Sequence, residues 1–352
     1  MIWVIVAVIC ALIFDFVNGV HDAANSIATA VSTRVLKPRT AIFWAAGFNF
    51  AAIFLFVPRV AETMSKMVKI EPSQSDYVLV VLIGISSAIL WNAFTWFLSI
   101  PSSSSHALIG GYAGAGLAHA GWHVLDWEKL SEIFFFIVLG PFLGFFVGSI
   151  LMVCLCRIFY RCSPSQLERG FRKGQLISAA FYSLAHGAND AQKTMGIILA
   201  ILVAAGLLEP NVKLSLFNLD TLWIILFCQA ALSLGTALGG WRIVKTMGMK
   251  IAKIRAAGGF CAESAGAMTL FLATSLGVPV SSTQTMTGAI MGVGSVGKKL
   301  SSIKWKIVFQ MMIAWILTIP STAGVAICLS FLHLHVFGKN EGILKGAAAM
   351  LN

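Results

Sequence analysis

The sequence predicts an all-α, polytopic membrane protein of two inverted-topology repeats, with broken helices and helical-hairpin-like serine-rich segments. Three observations carry that prediction. Of 352 residues, 58% are hydrophobic and 11% charged, and the mean hydropathy is +0.86, far from the soluble norm of about 25% charged. The apolar residues form continuous runs able to supply the ~20 helical residues that cross a bilayer, without the alternation of a β-barrel. Two polar motifs interrupt these runs, and both recur in the second half in the same order.

Residues 2–17 begin a first helix that meets the polar stretch 18–26 and recovers at 27–31. A polar patch with a glycine in mid-span reads as a broken helix, tolerable only where the freed backbone groups line a site. The segment lacks a basic leader and a small-residue cleavage site, so it reads as a retained helix. Residues 41–57 form a second span, 58–76 a mixed-charge loop and 77–100 a third span. The run Pro101-Ser102-Ser103-Ser104-Ser105-His106 then opens a shorter helix to about residue 118. A helix beginning at Ser102 leaves its first N–H groups free beside these hydroxyls, an arrangement that favours an anion. Residues 133–156 cross again. The second half repeats the plan: 176–208 interrupted at 186–194, then 222–241, 259–278, a second hydroxyl run from Pro279 to Gln284 opening a helix to about 296, and 305–335. The expected organisation is a first transmembrane repeat over 1–156, a short basic linker at 157–174, a second repeat over 175–338 and a tail at 339–352.

The net charge of +11 does not point to nucleic acid, because the basic residues lack aromatic interleaving. They cluster at 34–39, 157–173, 242–255 and 298–306, between apolar runs. With five crossings per half and the termini outside, all four clusters fall on one side, including linker 157–174, as the positive-inside rule requires of a cytoplasmic face. An odd number of crossings per half makes the halves inverted. The seven cysteines lack metal-type spacing and read as small core residues. No cofactor is expected.

The repeat is visible residue by residue. Gly19, Asp22 and Ala23 match Gly187, Asp190 and Ala191, with Ser26 against Thr194. At an offset of 178, Pro101, Ser103, Ser104, Gly110 and Gly114 match Pro279, Ser281, Ser282, Gly288 and Gly292, with Ser105 against Thr283. The glycine spacing of four reads as a close-packing face.

Outside the loops, the acids in apolar surroundings are Asp15, Asp22, Asp190 and Glu263. A carboxylate at mid-bilayer costs a few kcal/mol or more, so such residues usually serve an ion or proton path. Asp22 and Asp190 occupy equivalent places, and with Asn25, Ser26, Asn189 and Thr194 they offer the hard oxygen ligands an alkali cation prefers. Lys193 and His21 are alternative, structural partners for the two aspartates. Asp15 reads either as a coupling group or as a buried hydrogen-bonded carboxylate. The two hydroxyl runs supply donors to an oxyanion, whose charge co-bound cations would neutralise. A membrane hydrolase using Ser104 and His106 fits poorly, since residues two apart on a helix point to different faces. A passive anion channel is disfavoured by paired aspartates in equivalent helices.

The motifs Gly19 to Ser26, Gly187 to Thr194, Pro101 to His106 and Pro279 to Gln284 resemble the two signatures of the inorganic phosphate transporter (Pit) family, G-x-N/H-D-x-x-N/K and P-x-S-S/T-[ST]-H, each present once per half. The resemblance spans nearly the whole chain. It implies a plasma (inner) membrane symporter that imports inorganic phosphate with Na+ or H+, built of inverted repeats and assembled as a homodimer in the lipid bilayer. Phosphate contacts are then expected from Ser103, Ser104, Ser105, Ser281, Ser282 and Thr283, with Asn25 and Thr194. Cation coupling is expected from Asp22, Asp190, Asn189, Ser26 and Glu263, with Asp22 and Asp190 as metal ligands if the cation is Na+. Gln284 departs from the family's second histidine, and sulfate or another oxyanion is the alternative substrate.

Overall fold

The computed structural model describes residues 1–55, 58–65, 77–252, 254–296, 301 and 303–337. The expected tail 339–352 and parts of the loops at 58–76 and 298–306 lie outside the described residues. Lipid offers no partner to backbone polar groups, so apolar runs close their hydrogen bonds within helices. The described residues form α1 (Ile2–Ser32), α2 (Pro38–Ala51), α3 (Arg59–Ser65), α4 (Tyr77–Phe97), α5 (Ser104–Ala120), α6 (Trp127–Ile158), α7 (Pro164–Ala204), α8 (Leu219–Leu238), α9 (Trp241–Lys250), α10 (Ala256–Ser275), α11 (Ser282–Ser295) and α12 (Trp305–Phe337).

Among the described residues, six helices are long and apolar enough to cross a membrane, namely α1, α4, α6, α8, α10 and α12, or seven spans if α2 and α3 count as one. Helix α7 has the length, but its polar stretch at 186–194 lowers its hydropathy. Helices α5 and α11 have 17 and 14 residues, about 26 and 21 Å at ~1.5 Å per residue, short of the ~30 Å hydrocarbon core. They begin inside the protein, so counting each as a full crossing overstates them. Large apolar side chains such as Phe43, Phe142, Phe146, Phe309 and Ile316 are exposed on the outer surface, as expected of a chain whose surroundings are apolar.

The helix breaks are not where the sequence placed them. Helix α1 runs unbroken through Asn18–Ser26, and α7 through His186–Thr194. The glycines in these stretches serve close packing. A Cβ on Gly19 would strike the Leu232 carbonyl of α8, and one on Gly187 the Asn49 carbonyl of α2. The breaks fall at 98–103 and 276–281, before the two hydroxyl runs. Each begins with the same turn. Ser99 (φ 59°) and Gly277 (φ 74°) take the left-handed conformation. Ile100 N–H donates to the Thr95 carbonyl and Val278 N–H to the Ala273 carbonyl, at 3.0 and 2.9 Å, closing Schellman motifs. Pro101 and Pro279 follow, and a proline disfavours helix in the residue before it. Helix then restarts at Ser104 and Ser282 rather than at Ser102, because the Ser103 and Ser281 side chains accept from the N–H of His106 and Gln284 as N-caps. Two helical hairpins result, α4–α5 and α10–α11. The basic linker is shorter than expected. Helix α6 ends at Ile158, and a Ser163/Gln166 capping box starts α7 at Pro164.

The halves interlock. Helix α5 packs on α12 of the other half and α11 on α6, while α1 packs on α8 and α2 on α7. The glycines at spacing four are the contact surfaces, as their spacing predicted. Gly110 and Gly114 lie against Ile319, Thr322 and Ala323 of α12, and Gly288 and Gly292 against Pro141 and Phe145 of α6. Gly292→Leu should therefore lower the melting temperature in detergent by about 1–4 °C, through overpacking of about 1–3 kcal/mol. Gly47→Leu, at a site with no atom within 4 Å of the added carbon, should leave it unchanged.

Candidate functional site

The tips of the two hairpins meet between α1 and α7. Helix α1 presents Asp22 there and α7 presents Asp190, both with 1% or less of their surface exposed. A buried carboxylate needs several donors, and hydroxyls from both tips supply them. Asp22 accepts at Oδ2 from the Ser104 hydroxyl of one hairpin at 3.2 Å and from the Ser282 hydroxyl of the other at 3.0 Å. At Oδ1 it accepts from Thr283 at 3.3 Å. His21 Nδ1 lies 3.2 Å from the same oxygen. His21 Nε2, on the other side of the ring, lies 3.2 Å from the Ser102 hydroxyl.

Asp190 Oδ2 lies 3.1 Å from the Ser282 oxygen and 3.0 Å from His186 Nε2. One hydroxyl thus stands within bonding distance of both aspartates, although its single hydrogen serves one at a time. Asn25 holds that hydroxyl in place, its amide nitrogen donating to Ser282 Oγ at 3.2 Å and to Thr283 Oγ1 at 2.9 Å. The Lys193 ammonium donates to Asp190, to the Ser105 hydroxyl at 2.6 Å and to the Val280 carbonyl at 2.9 Å. Donor atoms of Asp22, His186 and Asp190 lie within 4.8 Å of one another, a spacing that could hold a metal ion. Carboxylates, hydroxyls and a carbonyl are hard ligands suited to an alkali cation or a proton. The clustered hydroxyls are donors suited to an oxyanion.

Of the residues singled out from sequence, Asp22, Asp190, Asn25, Ser104, Ser105, Ser282 and Thr283 come together here. Ser103 and Ser281 stand at the same tips, with their side chains engaged as helix caps. The Thr194 hydroxyl instead donates to Asp15 at 2.7 Å, and the Asn189 amide to Thr274 of α10 at 2.9 Å. Ser26 is buried without a hydrogen-bond partner among the described residues. Glu263 builds a separate cluster, accepting from Thr29 at 2.6 Å, Gln175 at 2.9 Å and Ser178 at 2.5 Å. Both pairings weighed as structural, Lys193 with Asp190 and His21 with Asp22, are present. Sequence reasoning missed His186, although its place four residues before Asp190 put the two on one helix face. Ser104 and His106 do not pair: the hydroxyl turns to Asp22, and His106 Nδ1 lies 3.3 Å from the Trp315 carbonyl.

Residues 18–326 match the profile of the phosphate transporter family. The protein named "Probable low-affinity inorganic phosphate transporter" in Rhizobium meliloti (strain 1021) is 48% identical over 319 residues, 90% of this chain and 93% of the relative. The protein so named in Bacillus subtilis (strain 168) is 40% identical over 337 residues, 96% of this chain and 99% of the relative. A solved structure called "The sodium-dependent phosphate transporter" shares the fold with a TM-score of 0.85, covering 96% of this chain and all of that one at 23% identity. Ser282→Ala, which removes the hydroxyl facing both aspartates, should weaken phosphate affinity by about tenfold or more with expression intact. Thr194→Ala should leave affinity unchanged, as radiolabelled binding to purified protein would measure.

Proposed function

The chain belongs to the phosphate transporter family, and from that premise we propose that it is a secondary active symporter, importing inorganic phosphate across the plasma membrane with a Na+ or H+ gradient. The observation that carries this reading is that the hydroxyls best placed to bind an anion are bonded to carboxylates: Ser104 and Thr283 to Asp22, and Ser282 within reach of both aspartates. A cation arriving at Asp22 or Asp190 competes for the same oxygen lone pairs and frees the hydroxyl hydrogens. It also removes a repulsion. Two like charges about 5 Å apart at an effective dielectric of about 20 repel by about 3 kcal/mol, a factor of more than a hundred in affinity. Cation and anion thus each improve the site for the other, which is the reciprocity that coupled transport requires.

The hairpin tips converge from opposite halves, which supports two inverted repeats alternating access about a fixed site. The termini then lie outside and the basic stretch 157–174, with the short linker inside it, in the cytoplasm, by the distribution of basic residues. A homodimer is part of the same reading. Sulfate, equally tetrahedral, is the competing substrate class.

Radiolabelled phosphate uptake into proteoliposomes, with sodium and proton gradients imposed separately and sulfate as competitor, tests the reading. Wild-type protein should accumulate phosphate against its gradient and lose accumulation when the driving cation gradient is collapsed. Asp22→Asn and Asp190→Asn should each reduce gradient-driven uptake by more than about tenfold. Undiminished cation-driven uptake by both variants would defeat the coupling mechanism.

A further inference from the structure

The two copies of the aspartate motif differ at several positions, among them Asn18 against His186, His21 against Asn189 and Asn25 against Lys193, and at the last a neutral amide stands opposite an ammonium. Asn25 and Lys193 each stand three residues after their aspartate, at the same 168-residue offset that relates Asp22 to Asp190. Ser105 and Thr283 correspond at the 178-residue offset of the hairpin tips, as do Ser102 and Val280. These correspondences define two matching niches. In one, the Lys193 ammonium donates to the Asp190 carboxylate, the Ser105 hydroxyl and the Val280 carbonyl. In the other, the neutral Asn25 amide reaches Thr283, whose hydroxyl lies 3.3 Å from Asp22 Oδ1.

A carboxylate, a hydroxyl and a main-chain carbonyl converging on one point are the ligands a hard monovalent cation takes. An ammonium with three hydrogens satisfies the same three oxygens with the same charge. Lys193 is 2% exposed, so its charge is sealed inside the protein and joined to it covalently. We propose that Lys193 is a tethered cation: it holds the Asp190 niche throughout the transport cycle, leaving the Asp22 niche as the one of the pair that takes an exchangeable cation. The inference rests on the symport reading and deepens it. Asp190 then supplies a counter-charge, Asp22 supplies the coupling, and each phosphate moves with one cation rather than two. A merely structural ion pair would affect stability and rate but not this ratio.

The ratio is measured in proteoliposomes holding the purified full chain, with membrane potential clamped at zero and the driving cation identified for wild-type protein. An opposing cation gradient is raised until net flux of labelled phosphate down an imposed gradient of about tenfold stops. At one cation per phosphate the balancing gradient is about tenfold, and at two it is about threefold. Wild type should balance near tenfold. Lys193→Asn, which gives the second niche the residue of the first, should balance near threefold, while Lys193→Arg, which keeps the charge, should stay near tenfold. Wild type balancing near threefold, or Lys193→Asn remaining near tenfold, would overturn the inference; should Lys193→Asn fail to fold, the wild-type ratio still decides. Absence of any cation dependence in wild type removes the symport reading and this inference with it. A coupled wild type with a ratio of two removes only the tethered cation.

Discussion

The structure depends on housing two carboxylates, Asp22 and Asp190, inside a protein surrounded by lipid. Neither can be left without donors, since an unpaired buried charge costs far more than the marginal stability of a fold. No single helix satisfies both. Their partners come from four directions: Ser104 from one hairpin tip, Ser282 and Thr283 from the other, His21 from α1 itself, and His186 and Lys193 from α7. The requirement that these groups converge explains why each half ends a hairpin in the protein interior.

Bringing polar tips inward is possible because glycine removes the obstacle of side chains around them. Helices α5 and α11 emerge from the tips and must lie against α12 and α6 at backbone distance. Gly110, Gly114, Gly288 and Gly292 allow it, each facing carbonyl or Cα atoms of the opposing helix. Hydrogen bonds fix the tips from outside. The Trp315 indole donates to the Pro101 carbonyl at 3.1 Å, and the Tyr182 hydroxyl to the Ser282 carbonyl at 3.3 Å.

The sequence disclosed the composition of this site better than its backbone. Paired aspartates and paired hydroxyl runs at constant offsets are chemical signals, and their cost in an apolar setting points to a shared purpose. The misplacement of the breaks has a physical origin. Gly19 amid polar residues suggests a disrupted helix, yet a helix tolerates a polar stripe when neighbours bond to it, and glycine there answers a demand of α8 that local sequence does not contain. Conversely, Ser99 gives no sign of a left-handed turn, and its counterpart Gly277 lies within the stretch 259–278 that reads as one continuous span. The contacts of Thr194 and Asn189 were hidden for a related reason: their motif places them on α7, but the angle at which they leave the helix sends them to Asp15 and Thr274. Glu263 was visible as a buried acid, but not its separation from the central cluster.

That separation bears on how the site can open. Asp15, Asp22 and Thr29 follow one another at intervals of seven along α1, and all are buried, so they lie on one face about 10 Å apart. The outer two tie α1 to its neighbours: Asp15 accepts from Thr194 of α7, and Thr29 donates to Glu263, which Gln175 and Ser178 of α7 also hold. Sliding α1 against α7 would break these bonds in a region that offers nothing in exchange. Withdrawing a hairpin tip from Asp22 breaks bonds to hydroxyls that a cation can replace at the carboxylate and an anion at the donors. On the symport reading proposed above, the motion of least cost is that of the tips, driven by the co-substrates themselves, which would tie opening of the site to the presence of both.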